Sequence, residues 1–282
     1  MLIQQVALTT ESEALGIGLD ELMRVGAALQ KQVTRDFAPI WGIRATVDAF
    51  ARLEDVPIGY WPIILVKNLK GAEGVHQDNS GQPFALVKSG SSWPLTASHE
   101  CLEMLADPFG NRLIAGPSPK KGQGRVEFLV EVCDPSESEK FGYTVNGVLV
   151  SDFYTPHYFD PKPAVSVRYS FTGAITAPRQ VLKNGYLSWH DPVSDRWFQE
   201  TFFGVKPTFR DLGVLRQDGS SFRSIVDSMT HPPEDLANLE AAAPLMAAAS
   251  KASADSEEST TSKARSWRTQ ISALREKAQK PE

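Results

Sequence analysis

The run from Pro94 to Pro108, PLTASHECLEMLADP, constrains the fold of this 282-residue chain more than any other segment. Pro94 suits the first turn of a helix and Pro108 ends it, because the residue before a proline avoids the helical region. Leu, Met, Ala and Cys side chains cover most of the circumference of this predicted helix, which favours burial between two layers. The helix also carries one histidine and three acidic residues: His99, Glu100, Glu103 and Asp107.

The histidine and the acidic residues share one side of the helix. At about 100° per residue, His99, Glu103 and Asp107 fall within an arc of roughly 80°, with Glu100 at its edge. Such residues are common on solvated helix faces, which is the simplest interpretation. This face has no Lys or Arg, however, so its carboxylates repel one another. We therefore expect a cation beside them and favour a metal site over a solvated face.

The pentapeptide HECLE, residues 99–103, resembles the HExxH signature of zincin metallopeptidases, with Glu103 in place of the second histidine. The resemblance implies that His99 and Glu103 are metal ligands and that Glu100 is the general base that activates a metal-bound water. It also implies Zn²⁺ as the cofactor and a peptide or protein as the substrate. More widely, the segments SHECLEMLADP, VEVCDP and VSDFYTP are similar to a group of uncharacterised bacterial and phage proteins over roughly residues 20–215.

A third ligand must come from outside this helix, because groups at i, i+4 and i+8 do not converge easily on one ion. Glu131 in LVEVCDP is the first candidate and Asp134 the next, since a carboxylate in an apolar strand is costly unless it is paired or coordinating. An exposed position on an edge strand is the alternative for Glu131. Asp107 is an alternative ligand, or it orients His99 or a neighbouring loop, or it caps the helix. One imidazole among several carboxylates also suits manganese, iron or calcium.

The positions of further histidine, tyrosine and cysteine residues in the chain predict their roles. Tyr154 and His157, in YTPHYFDP, are predicted to stabilise an oxyanion, with ordinary packing as the alternative. His76, in the hairpin before the helix, is predicted to be a surface turn residue, with a contact to substrate as the alternative. Cys101 and Cys133 are predicted to be reduced thiols, because two cysteines are too few for a disulfide framework.

The order of predicted elements is typical of an α+β fold. An amphipathic helix over Asp20–Phe37 precedes two strands, IRATVDAFARL and YWPIILVKNL, and a hairpin that turns at residues 79–81. Together with the HECLE helix, these elements form the predicted zincin-like half, residues 1–110, in which a mixed sheet supports the active-site helix.

The remainder of the chain is predicted to be mostly β, followed by a tail. Residues 111–232 should complete the cleft with a loop at 111–124, the strand RVEFLVEVCDP, a hairpin that turns at Asn146-Gly147 and an irregular, aromatic-rich stretch at 161–213. Residues 233–282 are predicted to hold a helical piece, a flexible low-complexity linker and a charged tail.

Composition and charge exclude some classes of function. The net charge of −5 argues against a nucleic-acid binder. No apolar run approaches the about eighteen residues that cross a bilayer, and no secretion signal is visible, so we expect a cytoplasmic protein. The predicted function is metal-dependent hydrolysis of a peptide bond. A non-catalytic binding or structural protein that keeps a zincin-like fold is the alternative.

Overall fold

Two five-stranded sheets and four α-helices form the part of the chain that the structure describes, residues 3–69, 72–79 and 81–230. The structure is a computed structural model. One sheet is mixed and the other is antiparallel, so the predicted α+β class is confirmed. The helical piece, linker and charged tail predicted for residues 233–282 lie outside the described residues. No helix among the described residues is long and apolar enough to cross a membrane.

The N-terminal sheet consists of β1 (Gln4–Thr10), β2 (Ala45–Ala49), β3 (Tyr60–Val66), β4 (Gly74–Asn79) and β5 (Gln82–Lys88). Its strand order is β2-β1-β3-β5-β4. Neighbouring strands are parallel except for β4, which is an antiparallel edge strand. The two predicted strands and the predicted hairpin are β2, β3 and β4–β5. β1 lies near the centre of this sheet and was not predicted, because its short apolar run is buried on both faces and shows no alternation.

The side chains of β3 show why this sheet is covered on both faces. Ile63 and Leu65 belong to the main hydrophobic core beneath the helices. Ile64 and Val66 point to the other face, where a smaller apolar cluster that includes Leu53 covers them. A strand buried on both faces reads as a continuous apolar run, as PIILV does here.

The first helical segment is longer than the predicted Asp20–Phe37. α1 (Leu19–Lys31) continues through a π-helical turn, Gln32–Phe37, into α2 (Ala38–Trp41). Its apolar stripe packs on β1 and β2, as the helical spacing predicted. The four apolar positions of that stripe, all without exposed surface, are Leu22, Val25, Leu29 and Val33.

The HECLE helix is α3 (Trp93–Ala106), with Pro94 in its first turn as predicted. It packs on β4 and β5 on one side and on β9 (Val148–Val150) on another, so it lies between layers. A buried polar network fixes this position. The Ser98 hydroxyl donates to Gln32 Oε1 over 2.8 Å and accepts the backbone N–H of Ser151 over 2.8 Å, while Gln32 Nε2 donates to the Ser151 carbonyl over 2.9 Å.

The second sheet is antiparallel, with the order β12-β11-β10-β7-β6. Its strands are β6 (Leu113–Pro117), β7 (Arg125–Leu129), β10 (Tyr186–Asp191), β11 (Arg196–Thr201) and β12 (Thr208–Gly213). The prediction of a loop at 111–124 was therefore wrong for β6, and the prediction of an irregular stretch at 161–213 was wrong for three strands. The predicted hairpin at Asn146-Gly147 is confirmed: it joins β8 (Tyr143–Val145) to β9, with positive φ values of 49° and 76° at its two turn residues.

The last described helix, α4 (Phe222–Thr230), packs against the second sheet. Val226 lies in an apolar cluster with Leu129 and Trp197, and the rings of Phe222 and Trp197 stand 4.7 Å apart. The start of α4 lies against Gly110. This position requires glycine for two reasons: its φ is +60°, and a Cβ atom there would stand 2.7 Å from Ser221 Oγ. This close approach brings the N-terminal turn of α4 towards α3.

Candidate metal centre

Four separate elements bring ionisable side chains together beside the middle of α3. α3 contributes His99, Glu100 and Glu103, β4 contributes His76, the segment after β7 contributes Glu131, Cys133 and Asp134, and α4 contributes Arg223. None of these eight residues is more than 9% exposed. The alternative of a solvated helix face is therefore wrong, and the alternative of an exposed position for Glu131 is wrong too. We call this set the acidic cluster.

His99 faces two carboxylates that come from different elements. Its Nε2 lies 3.3 Å from Glu103 Oε2, one helical turn away, and 3.2 Å from Asp134 Oδ1, at the start of a short 3₁₀ helix. In a tetrahedral zinc site with bonds of about 2.0–2.1 Å, neighbouring ligand atoms stand roughly 3.3–3.4 Å apart. The two distances at His99 match those of ligands around one ion, and they are also those of a protonated imidazole paired with two carboxylates.

Several sets of buried side chains could hold a metal ion. Within each set, one ligand atom from every member lies within 4.8 Å of the others. Glu103 belongs to all of the sets found among the described residues, which are His99–Glu103–Cys133, His76–Glu100–Glu103 and Glu103–Glu131–Asp134. Glu103 is thus the residue that these sets share.

Arg223 provides the positive charge that α3 lacks. Its guanidinium donates to Glu131 Oε2 over 2.7 Å and to Glu103 Oε2 over 3.1 Å, and Nη1 donates to the His76 carbonyl over 2.8 Å. The same group lies 3.5 Å from Glu100 Oε2. The cation that the sequence required beside these carboxylates is therefore supplied at least in part by a side chain of α4.

Glu131 and Asp134 occupy different positions relative to this arginine. Glu131 was predicted to lie in a strand, but β7 ends at Leu129, and the following residues turn towards α3. Glu131 Oε2 is paired with Arg223, whereas Asp134 reaches His99. Of the two candidates for a further ligand, Asp134 is thus the one that contacts His99.

Burial and neighbouring charges shift the pKa values in the acidic cluster in opposite directions. Burial raises the pKa of Glu103, but His99 and Arg223 outweigh it and hold that pKa well below its usual range. Burial, and then the charge of Glu103, raise the pKa values of Glu131 and Asp134. Burial opposes protonation of His99, but Glu103 and the other acidic groups around it raise its pKa. Of Glu103, Glu131 and Asp134, Glu103 therefore stays ionised most readily.

His76 lies inside the cluster, so its prediction as a surface turn residue was wrong. Its ring Nε2 is 3.2 Å from the carbonyl of Asp107 and donates to it, because a carbonyl can only accept. α3 approaches β4 closely here because Gly74 has no side chain: a Cβ atom there would stand 2.6 Å from Glu100 Oε1. The structure thus buries His76 between β4 and α3.

The remaining predicted site residues have different surroundings. Asp107 ends α3 and its Oδ2 accepts the backbone N–H of Arg112 over 2.7 Å, which is the predicted loop-orienting role. Tyr154 is fully buried, and its backbone N–H donates to the carbonyl of Val132 beside Glu131. His157 is largely exposed and its ring bonds to Asp160 over 2.9 Å, so the structure does not bring it into the acidic cluster.

Several buried polar atoms in the acidic cluster and beside it have no hydrogen-bond partner among the described residues. They are His76 Nδ1, Glu100 Oε2, Glu131 Oε1, Asp134 Oδ2 and the Tyr154 hydroxyl. A buried polar atom without a partner costs about 1–3 kcal/mol, so such atoms concentrated in one place need a further partner, such as water or an ion. The donor set of imidazoles and carboxylates therefore fits a divalent cation.

Cys101 and Cys133 are free and fully buried. Burial raises the pKa of Cys101 to about 12 and also raises the pKa of Cys133. Cys133 supports the site through its backbone N–H, which donates to Glu103 Oε1 over 3.1 Å.

Comparisons with protein-family models, with curated proteins and with solved structures find no match for this chain.

Proposed function

We propose that this protein is a metal-dependent hydrolase of the zincin-like peptidase class. The observation that carries the proposal is the position of His99 Nε2 at 3.2–3.3 Å from one oxygen each of Asp134 and Glu103, in a buried site with unpaired polar atoms around it. His99, Glu103 and Asp134 would hold the ion, because Glu103 and Asp134 each face His99 Nε2. The same two carboxylates also form a set with Glu131, which is a further acidic neighbour. Zn²⁺ suits these ligands, as do other divalent cations.

The side chains around the ion have separate roles in this proposal. When bound, the cation would acidify a water and polarise the scissile carbonyl. Glu100, next to His99 in HECLE and nearly buried, takes the proton from the water as the general base. Asp107 fixes the loop that follows α3 through Arg112. The buried Tyr154 hydroxyl is the remaining candidate for stabilising the oxyanion.

Metal analysis of purified variants tests the ligands, and peptide cleavage tests the reaction. We expect a tightly bound divalent cation in the wild-type protein, its loss in His99→Ala and Asp134→Asn, and its retention in Glu100→Gln. Glu100→Gln should lower cleavage of a fluorogenic peptide library by about 10²–10⁴-fold, the usual contribution of a general base. His190→Ala is the matched control, because His190 also faces two carboxylates at 3.1 Å but lies outside the cluster. A wild-type protein that binds no metal after Zn²⁺ is supplied would contradict the proposal.

One observation favours the second candidate, a non-catalytic binding or structural protein that retains a zincin-like fold. Arg223 already pairs with Glu103 and Glu131, so part of the negative charge is neutralised without a metal. The two candidates differ at Glu100. In a binding or structural protein, Glu100→Gln should change no turnover, because no peptide is cleaved by the wild type under any metal condition.

A further inference from the structure

A second set of buried side chains adjoins the first and shares Glu103 with it. His76 Nδ1 lies 3.5 Å from Glu100 Oε2 and 3.7 Å from Glu103 Oε2. One ligand atom from each of these three residues lies within 4.8 Å of the other two. The side chains of His76 and Glu103 have no exposed surface, and that of Glu100 is 4% exposed.

The hydrogen bonding of His76 shows which ring nitrogen is free. Nε2 donates to the Asp107 carbonyl, so its proton is accounted for and the lone pair of a neutral ring lies on Nδ1. Nδ1 and Glu100 Oε2 have no hydrogen-bond partner among residues 3–69, 72–79 and 81–230. Separations of 3.5 and 3.7 Å are too long for hydrogen bonds from a protonated Nδ1. In a neutral ring, His76 Nδ1 and the Glu100 carboxylate are therefore both electron-pair donors, and they face each other.

A divalent cation would resolve this arrangement. Histidines that bind metals usually donate their other ring N–H to a carboxylate or a backbone carbonyl, which fixes the ring. His76 has that arrangement, with the Asp107 carbonyl as the acceptor and Nδ1 turned towards Glu100 and Glu103.

We propose that His76, Glu100 and Glu103 form a second cation site, for a divalent ion that takes nitrogen and carboxylate ligands. This site is weaker than the first, because Arg223 Nη2 lies 3.5 Å from Glu100 Oε2, a ligand of this site alone, and repels a cation there. The site therefore fills after the site at His99. A cation bound there engages Glu100 as a ligand and so inhibits hydrolysis. This inhibition rests on the proposed function, whereas the existence of the site is independent of it.

Counting bound metal tests the site independently of activity. Metal-free protein is titrated with Co²⁺ while visible absorption is followed, and bound Zn²⁺ is counted by mass spectrometry after dialysis against a range of Zn²⁺ concentrations. We expect two equivalents in the wild type, the second bound at least about tenfold more weakly. His76→Gln, which keeps a donor for the Asp107 carbonyl, and Glu100→Gln should each keep the first equivalent and lose the second. His190→Ala is the control and should bind two.

The outcomes separate this proposal from the proposed function. One equivalent in the wild type that persists in His76→Gln overturns the second site and leaves the first intact. One equivalent that is lost in both His76→Gln and His99→Ala shows a single ion held by both histidines, which also overturns the second site. No bound metal in the wild type overturns both. If peptide cleavage is found, it should fall at least about twofold as the second equivalent binds, and His76→Gln should escape this inhibition.

Discussion

Replacing Arg223 by Met should destabilise the fold strongly. Among the described residues of the acidic cluster, Arg223 is the one side chain that carries a permanent positive charge. The change removes the hydrogen bonds to Glu131, Glu103 and the His76 carbonyl. It also removes the ion pairs with Glu100 and Asp227, so four carboxylates lose a cationic partner. Removing one partner of a buried ion pair costs about 3–5 kcal/mol, which is a large share of the about 5–15 kcal/mol that stabilises an ordinary protein. We expect the free energy of unfolding to fall by about 4 kcal/mol.

Urea unfolding of metal-free protein at neutral pH, followed by tryptophan fluorescence, measures this loss. Arg196→Met is the matched control, since Arg196 also pairs with an acidic residue, Asp211, at 3.0 Å, but both side chains are 44% exposed. An exposed pair contributes about 0–1 kcal/mol, so the control should unfold almost like the wild type.

A double variant separates the charge from the packing of the arginine. Arg223→Met combined with Glu131→Gln should be more stable than Arg223→Met alone, because the second change removes one of the carboxylates left uncompensated. If Arg223→Met costs less than about 1 kcal/mol, or if Glu131→Gln adds its full cost to it, Arg223 does not neutralise the cluster and the reasoning fails.

Two further predictions concern stability away from the candidate ligands. Ser98→Ala should lower the free energy of unfolding by about 2–4 kcal/mol, because two buried groups lose the hydroxyl that is their hydrogen-bond partner. Thr96→Ala in the same helix is the control. It removes only a long, exposed hydrogen bond and should lower the free energy of unfolding by less than about 1 kcal/mol. Both are measured by urea unfolding, and equal losses would contradict the network. Burial raises the pKa of Glu200 to about 7. The protonated carboxyl therefore favours the folded state, and its contribution to the free energy of unfolding falls as the pH rises from about 4.5 to 7. Glu200→Gln should therefore raise the free energy of unfolding by about 1 kcal/mol at pH 8, a value discounted for the partial exposure of Glu200, and by almost nothing at pH 4. Glu139→Gln, at an exposed position, is the control and should show no such difference between the two pH values.

The part of the site that lies on α3 could be predicted because its signals are local. Two prolines bound the helix, its apolar residues require burial, and helical spacing alone places His99 and Glu103 on one face. Glu131 and Asp134 were accessible to the same reasoning, since acidic side chains in an apolar segment need a partner.

His76 and Arg223 could not be placed by such signals. In GVHQDN, alternation puts His76 on the face of Gly74 and Asp78, which reads as polar and solvated; that face is buried only because α3 packs closely over Gly74. Arg223 is 120 residues from Glu103 in the chain, and nothing near it in the sequence marks a buried arginine. β10 was missed for a related reason, because YLSWHD is covered on both faces and so lacks alternation.

The composition of the acidic cluster is itself an argument for a ligand. A buried ion pair is often no more stable than apolar residues of the same volume, so a core between α3, β4 and α4 has no structural need of ionisable groups. Here the packing of these elements buries four carboxylates, two imidazoles and a guanidinium. In four of these acidic and histidine residues, one polar atom has no hydrogen-bond partner among the described residues. One arginine pairs with Glu103 and Glu131 but not with Asp134, which instead faces His99. The charge that remains is placed where a bound cation would find nitrogen and oxygen ligands, which is why we interpret the cluster as a metal centre and not as a structural ion-pair network.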